Sequence, residues 1–223
     1  MSLSSHFIPF THPVQLTPEE AVVRSQEVLK TLEGRRTIRD FSPNQVPKEI
    51  IENCLRAAST APSGAHKQPW HFAVVQDEAK KRAIRIAAED EEREFYGGKA
   101  PEEWIQALKP FSTNADKPFL EIAPCLIGIF ARNYDIQEDG SRLKNYYVSE
   151  SVGIATGMLI ASLHQCGLST LTHTPSPMGF LNQIMERPTH ERALILLVVG
   201  YPADHAKVPL LKRKELSEYA SFL

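Results

Sequence analysis

Apolar and polar positions alternate along the chain with periods that predict an α+β fold. The run Thr17-Pro18-Glu19-Glu20 is a capping box with proline at the first helical position. It predicts a helix that reaches about Leu32 and ends at Gly34. Pro47 opens a second predicted helix over residues 48–59, where apolar side chains recur at helical spacing.

Further along the chain, short apolar runs predict strands and longer periodic stretches predict helices. Asp77 caps a predicted helix that continues through the acidic residues 89–94, and the longest predicted helix covers residues 144–166. A short helix is expected near residues 179–186. The predicted strands are residues 70–75, 124–132, 169–174 and 194–199.

Residues 97–118 interrupt this regularity. They contain two glycines and three prolines but few periodic apolar positions, which is typical of a mobile excursion such as a lid. We expect a single domain over residues 1–223, because no repeat or linker divides the chain. Its predicted parts are an N-terminal arm at 1–15, an active-site lid at 92–118 and a C-terminal extension at 203–223.

The predicted helix at 144–166 has one flank of small side chains, which would let another backbone come close. A dimer interface and ordinary helix packing inside one subunit both explain such a flank. Its members are Gly153, Ala155, Gly157 and Ala161.

Composition excludes several classes of partner. The net charge of −2 gives no long-range attraction to nucleic acid or to an anionic membrane. Residues 1–15 lack a signal-peptide pattern, and the apolar run 193–200 is far shorter than the about 20 residues that span a bilayer. We therefore expect a soluble, cytoplasmic protein. Three cysteines without ligand spacing are expected to be buried free thiols, which favours a reducing compartment: Cys54, Cys125 and Cys166.

Several familiar sites are not indicated by the sequence. There is no G-x-G-x-x-G after a strand and no Walker A motif, so a Rossmann or P-loop site is not expected. The eight histidines are scattered without metal-ligand spacing, and no G-x-S-x-G elbow occurs. No metal site is therefore predicted.

Two segments could together hold a flat, anionic ligand. The run Arg35-Arg36-Thr37-Ile38-Arg39 places three guanidinium groups within five residues, and their fork-shaped donors suit a phosphate dianion. A solvated basic turn explains the same run equally well. In the loop Ala61-Pro62-Ser63-Gly64-Ala65-His66, small residues would let the backbone approach a flat ligand, although common surface loops have a similar composition.

These two segments belong to a longer resemblance. Residues 35–70 resemble the opening of nitroreductase-superfamily flavoproteins, and APSGAHKQPW at 61–70 resembles the A-P-S-G-A-H-x-x-P-W pattern of their iodotyrosine deiodinase branch. The resemblance covers residues 30–215. It continues in the segments TLTHTP at 170–175, RPTHE at 187–191, VGYP at 199–202 and VPLLKRK at 208–214.

The resemblance implies a nitroreductase-like fold, with a central mixed β-sheet flanked by helices, in an intertwined homodimer that binds FMN non-covalently between subunits. Arginines and a threonine would hold the phosphate and nearby polar atoms. A loop of the other subunit would line the flavin, and the end of a strand would flank its ring. The phosphate-binding residues would be Arg35, Arg36, Arg39, Arg213 and Thr37. The loop residues would be Pro62, Ser63 and Gly64, and the residues at the end of the strand would be Thr172, His173 and Thr174.

The resemblance gives Thr174 the catalytic role. In the deiodinase branch a hydroxyl at this position hydrogen-bonds flavin N5, which favours transfer of one electron at a time over hydride transfer. A threonine before a proline is otherwise an ordinary strand end, so this role comes from the resemblance alone.

The same branch clamps the zwitterion of an amino acid with a glutamate, a tyrosine and a lysine. Glu92 and Tyr96 lie four residues apart, hence on one face of a helical turn, and Lys117 follows in the predicted lid. Trp104 falls at a matching aromatic position. Without the resemblance, residues 89–94 would be interpreted as a solvated acidic face. Glu91 remains an alternative to Glu92.

The reaction implied is reductive dehalogenation of mono- and diiodotyrosine to tyrosine and iodide, with Ala65 N–H meeting the phenolate oxygen of the substrate. Electrons would come from a reduced nicotinamide, NADPH or NADH, or from a reductase partner, and no motif identifies which. Two alternatives stay open: a general NAD(P)H-dependent nitro- or quinone reductase of the same fold, and a flavin-binding protein without turnover.

The sequence departs from the branch in three ways. Mammalian members carry an N-terminal membrane anchor that has no counterpart here, which implies a soluble, bacterial form. His173 stands where relatives commonly have threonine. Residues 97–118 match only at scattered positions, so the lid is the least constrained part of the resemblance.

Overall fold

The computed structural model describes residues 7–12 and 14–223 and divides into two units, one ending at Arg35 and the other running from Arg36 to Leu223. In the first unit, helix α1 spans Pro18–Glu33. The predicted capping box is confirmed, because the Glu20 amide donates to Thr17 Oγ1 at 3.3 Å and the Thr17 amide donates to Glu20 Oε2 at 2.8 Å. No residue of α1 is buried. Residues 1–6 and 13 of the predicted N-terminal arm lie outside the described residues.

The second unit contains a four-stranded sheet and a small hairpin. The sheet order is β1-β2-β6-β5 and all its strand pairs are antiparallel, whereas the parallel pairing expected of a mixed sheet is limited to an isolated bridge between Thr37 and Thr170. The strands are β1 Trp70–Val75, β2 Cys125–Arg132, β3 Tyr134–Ile136, β4 Arg142–Lys144, β5 Ser169–His173 and β6 Glu191–Gly200, with β3 and β4 forming the hairpin.

Six further helices surround the sheet. They are α2 Lys48–Ala58, α3 Glu78–Glu94, α4 Glu102–Leu108, α5 Phe119–Ile122, α6 Val148–Gln165 and α7 Phe180–Ile184. Shorter helical turns lie at Gly64–His66, Lys109–Phe111 and Leu216–Glu218, and a π-helical turn at Phe95–Lys99 follows α3 directly.

Both faces of the sheet are buried because successive side chains of a strand point to opposite sides. On one face, Ile127 and Ile129 of β2 join Leu159 and Leu163 of α6, together with residues of α2. On the other face, the alternate residue Leu126 joins α3, α5 and α7. The apolar runs that predicted these strands therefore come from burial on two sides.

The structure corrects the predicted start of the long helix and the irregularity of residues 97–118. The helix begins at Val148 rather than residue 144, because Lys144 ends strand β4 and Tyr147 adopts a left-handed conformation with φ 49°. Much of 97–118 is helical, in α4 and in the turns on either side of it. Helix α4 has only seven residues, too few for an apolar period to be recognised in the sequence.

The cysteine prediction is confirmed for Cys54 and Cys125, which are buried, and wrong for Cys166, which is exposed. Cys166 directly follows the last residue of α6, where the chain turns at the surface. Its Sγ lies 3.8 Å from Cys54 Sγ. Burial raises the pKa of the Cys54 and Cys125 thiols to about 12, so both stay protonated.

Candidate active site

A cleft of about 190 Å³ opens between the end of α3, the helical turns that follow it, and the end of β5. Its lining combines charged groups with aromatic rings and with the threonines that end β5. The lining residues are Arg39, Glu91, Glu92, Phe95, Tyr96, Trp104, Leu108, Thr113, Lys117, Phe119, Leu171, Thr172, His173, Thr174, Pro175 and Ser176.

Lys117 is the most buried charge in this cleft. Its side chain is 3% exposed, and Nζ lies 3.2 Å from Glu92 Oε2. The ammonium also donates to Thr113 Oγ1 at 3.1 Å and to the carbonyl of Asn114. Burial lowers the pKa of Lys117, and the Glu92 carboxylate opposes that shift. The neighbours Thr113 and Asn114 carried no sequence signal, because they are polar residues in a segment without periodicity.

Tyr96 completes this group on the next turn of the chain. Lys117 Nζ lies 5.6 Å from the centre of the Tyr96 ring, within the range of a cation–π contact. Phe95 meets Tyr96 edge-on at 5.3 Å and Trp104 edge-on at 5.2 Å. Burial raises the pKa of the Tyr96 phenol, which therefore keeps its proton and can donate a hydrogen bond.

The two adjacent glutamates, Glu91 and Glu92, differ in their contacts. Both Glu91 and Glu92 line the cleft, but the ion pair with Lys117 belongs to Glu92. Tyr96 lies four residues beyond Glu92, so a helical turn brings the two side chains to the same face. The geometry therefore favours Glu92 for contact with a ligand ammonium.

The end of strand β5 also lines the cleft, and the side chains there alternate between exposed and buried. Thr172 and Thr174 are exposed, whereas His173 is 7% exposed. His173 Nδ1 lies 4.0 Å from Glu92 Oε1. Burial, with Lys117 and Arg39 nearby, lowers the pKa of His173 to about 3, so the imidazole is neutral and this contact is not an ion pair.

The predicted phosphate-binding residues lie in different surroundings. Arg39 lines the cleft, with its guanidinium 5.9 Å from the centre of the Phe111 ring. Arg36 donates to the carbonyl of Pro209, and Thr37 makes the parallel bridge to β5. Arg213 is exposed in the C-terminal segment. In the first unit, the Arg35 amide donates to the carbonyl of Leu32 at 3.1 Å, just beyond α1.

The predicted flavin-lining loop does not line the cleft formed by its own chain. Ala65 has a left-handed φ of 49°, and the loop is closed by the Gln68 amide, which donates to Ser63 Oγ at 2.9 Å. A Cβ on Gly64 would lie 2.7 Å from Tyr147 Cδ2 and 3.0 Å from the Tyr146 carbonyl. Glycine is therefore needed where the loop packs against the chain before α6. Pro62, beside it, is exposed.

The cleft offers groups suited to a flavin mononucleotide. Its lining includes the exposed hydroxyl-bearing residues Thr172 and Thr174, the residue Arg39 and several aromatic side chains. Within the described part of the chain, no three histidine, cysteine, aspartate or glutamate side chains lie close enough to hold a metal ion. No helix in residues 7–12 and 14–223 has the length and apolar character to cross a membrane, and the cytoplasmic location stays a prediction.

Comparison with known proteins shows the family of this chain. The nitroreductase family model matches residues 32–201. An iodotyrosine deiodinase from Haliscomenobacter hydrossis is 54% identical over 209 residues, which cover 94% of each protein. Human iodotyrosine deiodinase 1 is 44% identical over 212 residues, covering 95% of this chain and 73% of the human protein.

Solved structures of flavoproteins are also similar to this chain. A crystal structure of oxidized iodotyrosine deiodinase bound to FMN and 3-iodo-L-tyrosine matches with a TM-score of 0.76 and 30% identity, over 87% of this chain and all of that one. A BluB-like flavoprotein from Clostridium difficile has a TM-score of 0.67 at 21% identity, a likeness of fold alone. The chain belongs to the nitroreductase family and, within it, to the iodotyrosine deiodinases.

Proposed function

We propose that this protein is an FMN-dependent oxidoreductase that removes iodide, or another halide, from halogenated tyrosine. The observation that carries the proposal is the Glu92–Lys117 ion pair beside Tyr96, opposite the threonines that end β5. An amino-acid zwitterion needs one carboxylate and one ammonium from the protein, and this cleft holds both. The reaction consumes one aryl iodide, two electrons and one proton, and it releases tyrosine and iodide.

For the substrate, Glu92 accepts hydrogen bonds from the ammonium while Lys117 and the protonated Tyr96 donate to the carboxylate. The two protein charges already lie 3.2 Å apart, so the zwitterion replaces each partner with an equivalent charge. In a homodimer, the phenolate oxygen of the substrate accepts a hydrogen bond from the N–H of the partner subunit's Ala65, because the loop of the same chain does not line this cleft. Halogens lower the pKa of a phenol, so this donor favours the halogenated substrate over tyrosine.

For the cofactor, Thr172 and Thr174 would flank the ring with their side chains, and His173 would flank it with its backbone, since its side chain points to the other side of the strand. The guanidinium groups of Arg36, Arg39 and Arg213, with Thr37, would bind the phosphate and neighbouring polar atoms. Bound FMN, once reduced, supplies the two electrons of the reaction. The Thr174 hydroxyl would donate to flavin N5. The electron source is a reduced nicotinamide or a reductase partner.

We also propose a homodimer with FMN between its subunits. The loop at Pro62, Ser63 and Gly64 lies away from the cleft of its own chain, so a partner's loop would line the flavin. Helix α6 supports this arrangement, because Gly153 and Gly157 are exposed on it and a Cβ on either would meet open space. Sedimentation of the FMN-loaded protein tests it: a single species with the mass of two chains is expected.

Residues 92–118 act as the lid over the flavin in this proposal. They supply Glu92, Tyr96 and Lys117, which are therefore ordered by the same zwitterion that they bind. A ligand without the amino-acid group makes none of these contacts and leaves the lid without that stabilisation, which is a form of induced fit.

The decisive experiment is anaerobic reduction of the FMN-loaded protein with dithionite, followed by addition of diiodotyrosine. Reoxidation of the flavin with release of one iodide per reduced flavin is the expected result. The first two electrons give monoiodotyrosine, and excess dithionite, which reduces the flavin a second time, gives tyrosine and the second iodide. A protein that is reoxidised by nitroaromatics or quinones but not by diiodotyrosine would instead be a general reductase. One that is reoxidised by none of them would be a flavin-binding protein without this turnover.

A further inference from the structure

His173 is a buried imidazole on the wall of the cleft, on the side of β5 opposite to the flanking threonines. It meets the Phe119 ring edge-on, with the ring centres 5.9 Å apart. Its Nδ1 faces Glu92 Oε1 at 4.0 Å. The ring is therefore part of the surroundings of the Glu92 carboxylate rather than of the surface that Thr172 and Thr174 present.

The charged and titratable groups around the ring keep it uncharged. Burial and the positive charges of Lys117 and Arg39 lower the pKa of His173 to about 3, despite the carboxylate of Glu92 nearby. In a neutral imidazole one ring nitrogen donates a hydrogen bond and the other accepts one. A nitrogen that faces a carboxylate oxygen is stabilised as the donor, so Nδ1 carries the hydrogen.

The two oxygens of Glu92 are already divided between different neighbours. Oε2 lies 3.2 Å from Lys117 Nζ, and Oε1 is the oxygen nearest His173. At 4.0 Å the contact with Nδ1 is about 1 Å too long for a hydrogen bond. The remaining ring nitrogen, Nε2, is buried and has no hydrogen-bond partner among the described residues.

We propose that His173 is a positioning residue for substrate binding: its Nδ1–H donates to Glu92 Oε1 once a substrate ammonium occupies the Oε2 side. The inference rests on the proposed binding of a halotyrosine zwitterion by Glu92, Tyr96 and Lys117. A carboxylate held at one oxygen presents the other in a fixed direction. His173 thereby stabilises the contact with the ammonium without touching the carbon–halogen bond.

Three substitutions of His173 test which of its two ring nitrogens contributes to substrate binding. His173→Phe removes both and keeps the ring shape. The amide nitrogen of His173→Asn falls near the position of Nδ1, whereas that of His173→Gln falls near Nε2. For each FMN-loaded variant, the Kd of 3-iodotyrosine is measured by quenching of flavin fluorescence. The Kd of 2-iodophenol, which has no zwitterion, is measured in parallel.

The expected result is that His173→Phe weakens 3-iodotyrosine binding by about tenfold or more, the range of a hydrogen bond to a charged group. His173→Asn should retain most of the affinity and His173→Gln should not. Binding of 2-iodophenol should stay close to wild type, because it has no ammonium for Glu92 to bind. In a Glu92→Gln background, His173→Phe should have little further effect, because the residue acts through Glu92.

Equal losses for both ligands would overturn the inference, because they would indicate a purely structural role. Rescue by His173→Gln instead of His173→Asn would overturn it as well, and if His173→Phe does not fold, this comparison decides alone. A wild-type protein that neither binds nor dehalogenates 3-iodotyrosine contradicts the proposed function itself. A wild-type protein that does both, with unaffected His173 variants, contradicts only the role of His173.

Discussion

The Lys117 amide donates to Glu89 Oε1 at 2.7 Å, one helical turn before the glutamate that pairs with the ammonium of the same lysine. Helix α3 therefore holds Lys117 at both its backbone and its side chain. Arg85 fixes the Glu89 carboxylate at 2.7 Å, and these donors hold its pKa below the usual value against the opposing effect of burial.

Glu89→Ala is expected to weaken the clamp without removing any group that touches the substrate. Loss of the acceptor frees the backbone at Lys117, so the KM for 3-iodotyrosine should rise by about tenfold, as for loss of one charge-assisted hydrogen bond. Steady-state kinetics measure this change. Glu94→Ala on the same helix is the matched control, since Glu94 is exposed and pairs with Lys99. Equal effects of both substitutions would contradict the positioning role.

Substitution of Glu92 or Lys117 should weaken binding of the substrate and leave binding of FMN unchanged. Glu92→Gln and Lys117→Ala are each expected to raise the KM for 3-iodotyrosine by about tenfold to hundredfold, with FMN still bound at a normal ratio. Glu91→Gln is the control, because it lines the same cleft without forming the ion pair with Lys117. If Glu91→Gln has the larger effect, the neighbouring glutamate binds the ammonium.

Thr174→Ala is expected to lower the fraction of flavin that is reduced by a single electron during an anaerobic titration, because it removes the hydroxyl that is proposed to donate to N5. Thr174→Ser keeps the hydroxyl and should keep that fraction. Absorbance spectra recorded during reduction measure it. Identical titrations of the wild type and Thr174→Ala would remove the proposed role of this residue.

Gly64→Ala should disturb the predicted flavin loop, since the added Cβ would lie 2.7 Å from Tyr147 Cδ2 and 3.0 Å from the Tyr146 carbonyl. Overpacking of this kind costs about 1–3 kcal/mol. We expect a lower Tm and a higher Kd for FMN. A Cβ on Gly179 would meet no atom within 4 Å, so Gly179→Ala is the control and should leave the Kd for FMN unchanged. Unchanged FMN affinity in Gly64→Ala would contradict the placement of this loop at the cofactor.

The low pKa of His173 predicts a loss of stability in acid. The unfolded chain binds a proton near the ordinary value of 6.5, whereas the folded protein binds it only near 3. Between these values the unfolded state holds more protons, so the free energy of unfolding falls as the pH falls, by up to about 1.4 kcal/mol per pH unit. The stability is therefore fully present above pH 6.5.

Urea denaturation of the wild type and His173→Phe at several values between about pH 6.5 and about pH 4.5 tests this linkage. The wild type should lose more of its free energy of unfolding across that range, because only it contains the titrating imidazole at this site. Parallel losses in the two proteins would show that His173 ionises normally in the folded state.

Local signals explain which elements could be predicted from the sequence. Strand β1 is found at the predicted residues, and β2 is found almost where its apolar run predicted it, because β2 is buried on both faces of the sheet. The capping residues Thr17 and Asp77 predicted the starts of their helices, because an N-cap hydrogen bond involves only residues within one helical turn. By contrast, β3 and β4 have three residues each and mostly polar side chains, so no period indicated them.

Local sequence patterns could not indicate which distant residues come together in the candidate site, and only the resemblance grouped them. Glu92 and Lys117 are 25 residues apart in the sequence and 3.2 Å apart in the structure, and nothing in either segment alone indicates the other. The surroundings of His173 are non-local in the same way, since its charged neighbours come from other segments. Burial and a neutral ring could not be inferred from a histidine between two threonines.

The pairing of Glu92 with Lys117 makes the binding step an exchange of partners that leaves the charge of the cleft at zero. A ligand with both an ammonium and a carboxylate satisfies the two separated protein charges together. An iodotyramine has only an ammonium and would pair only with the Glu92 carboxylate. An N-acetyl iodotyrosine has only a carboxylate and would pair only with the Lys117 ammonium. Each ligand would leave one buried protein charge uncompensated, at a cost of several kcal/mol. In the proposed binding mode, discrimination between amino acids and other halophenols thus arises from charge balance before any contact with the halogen is made.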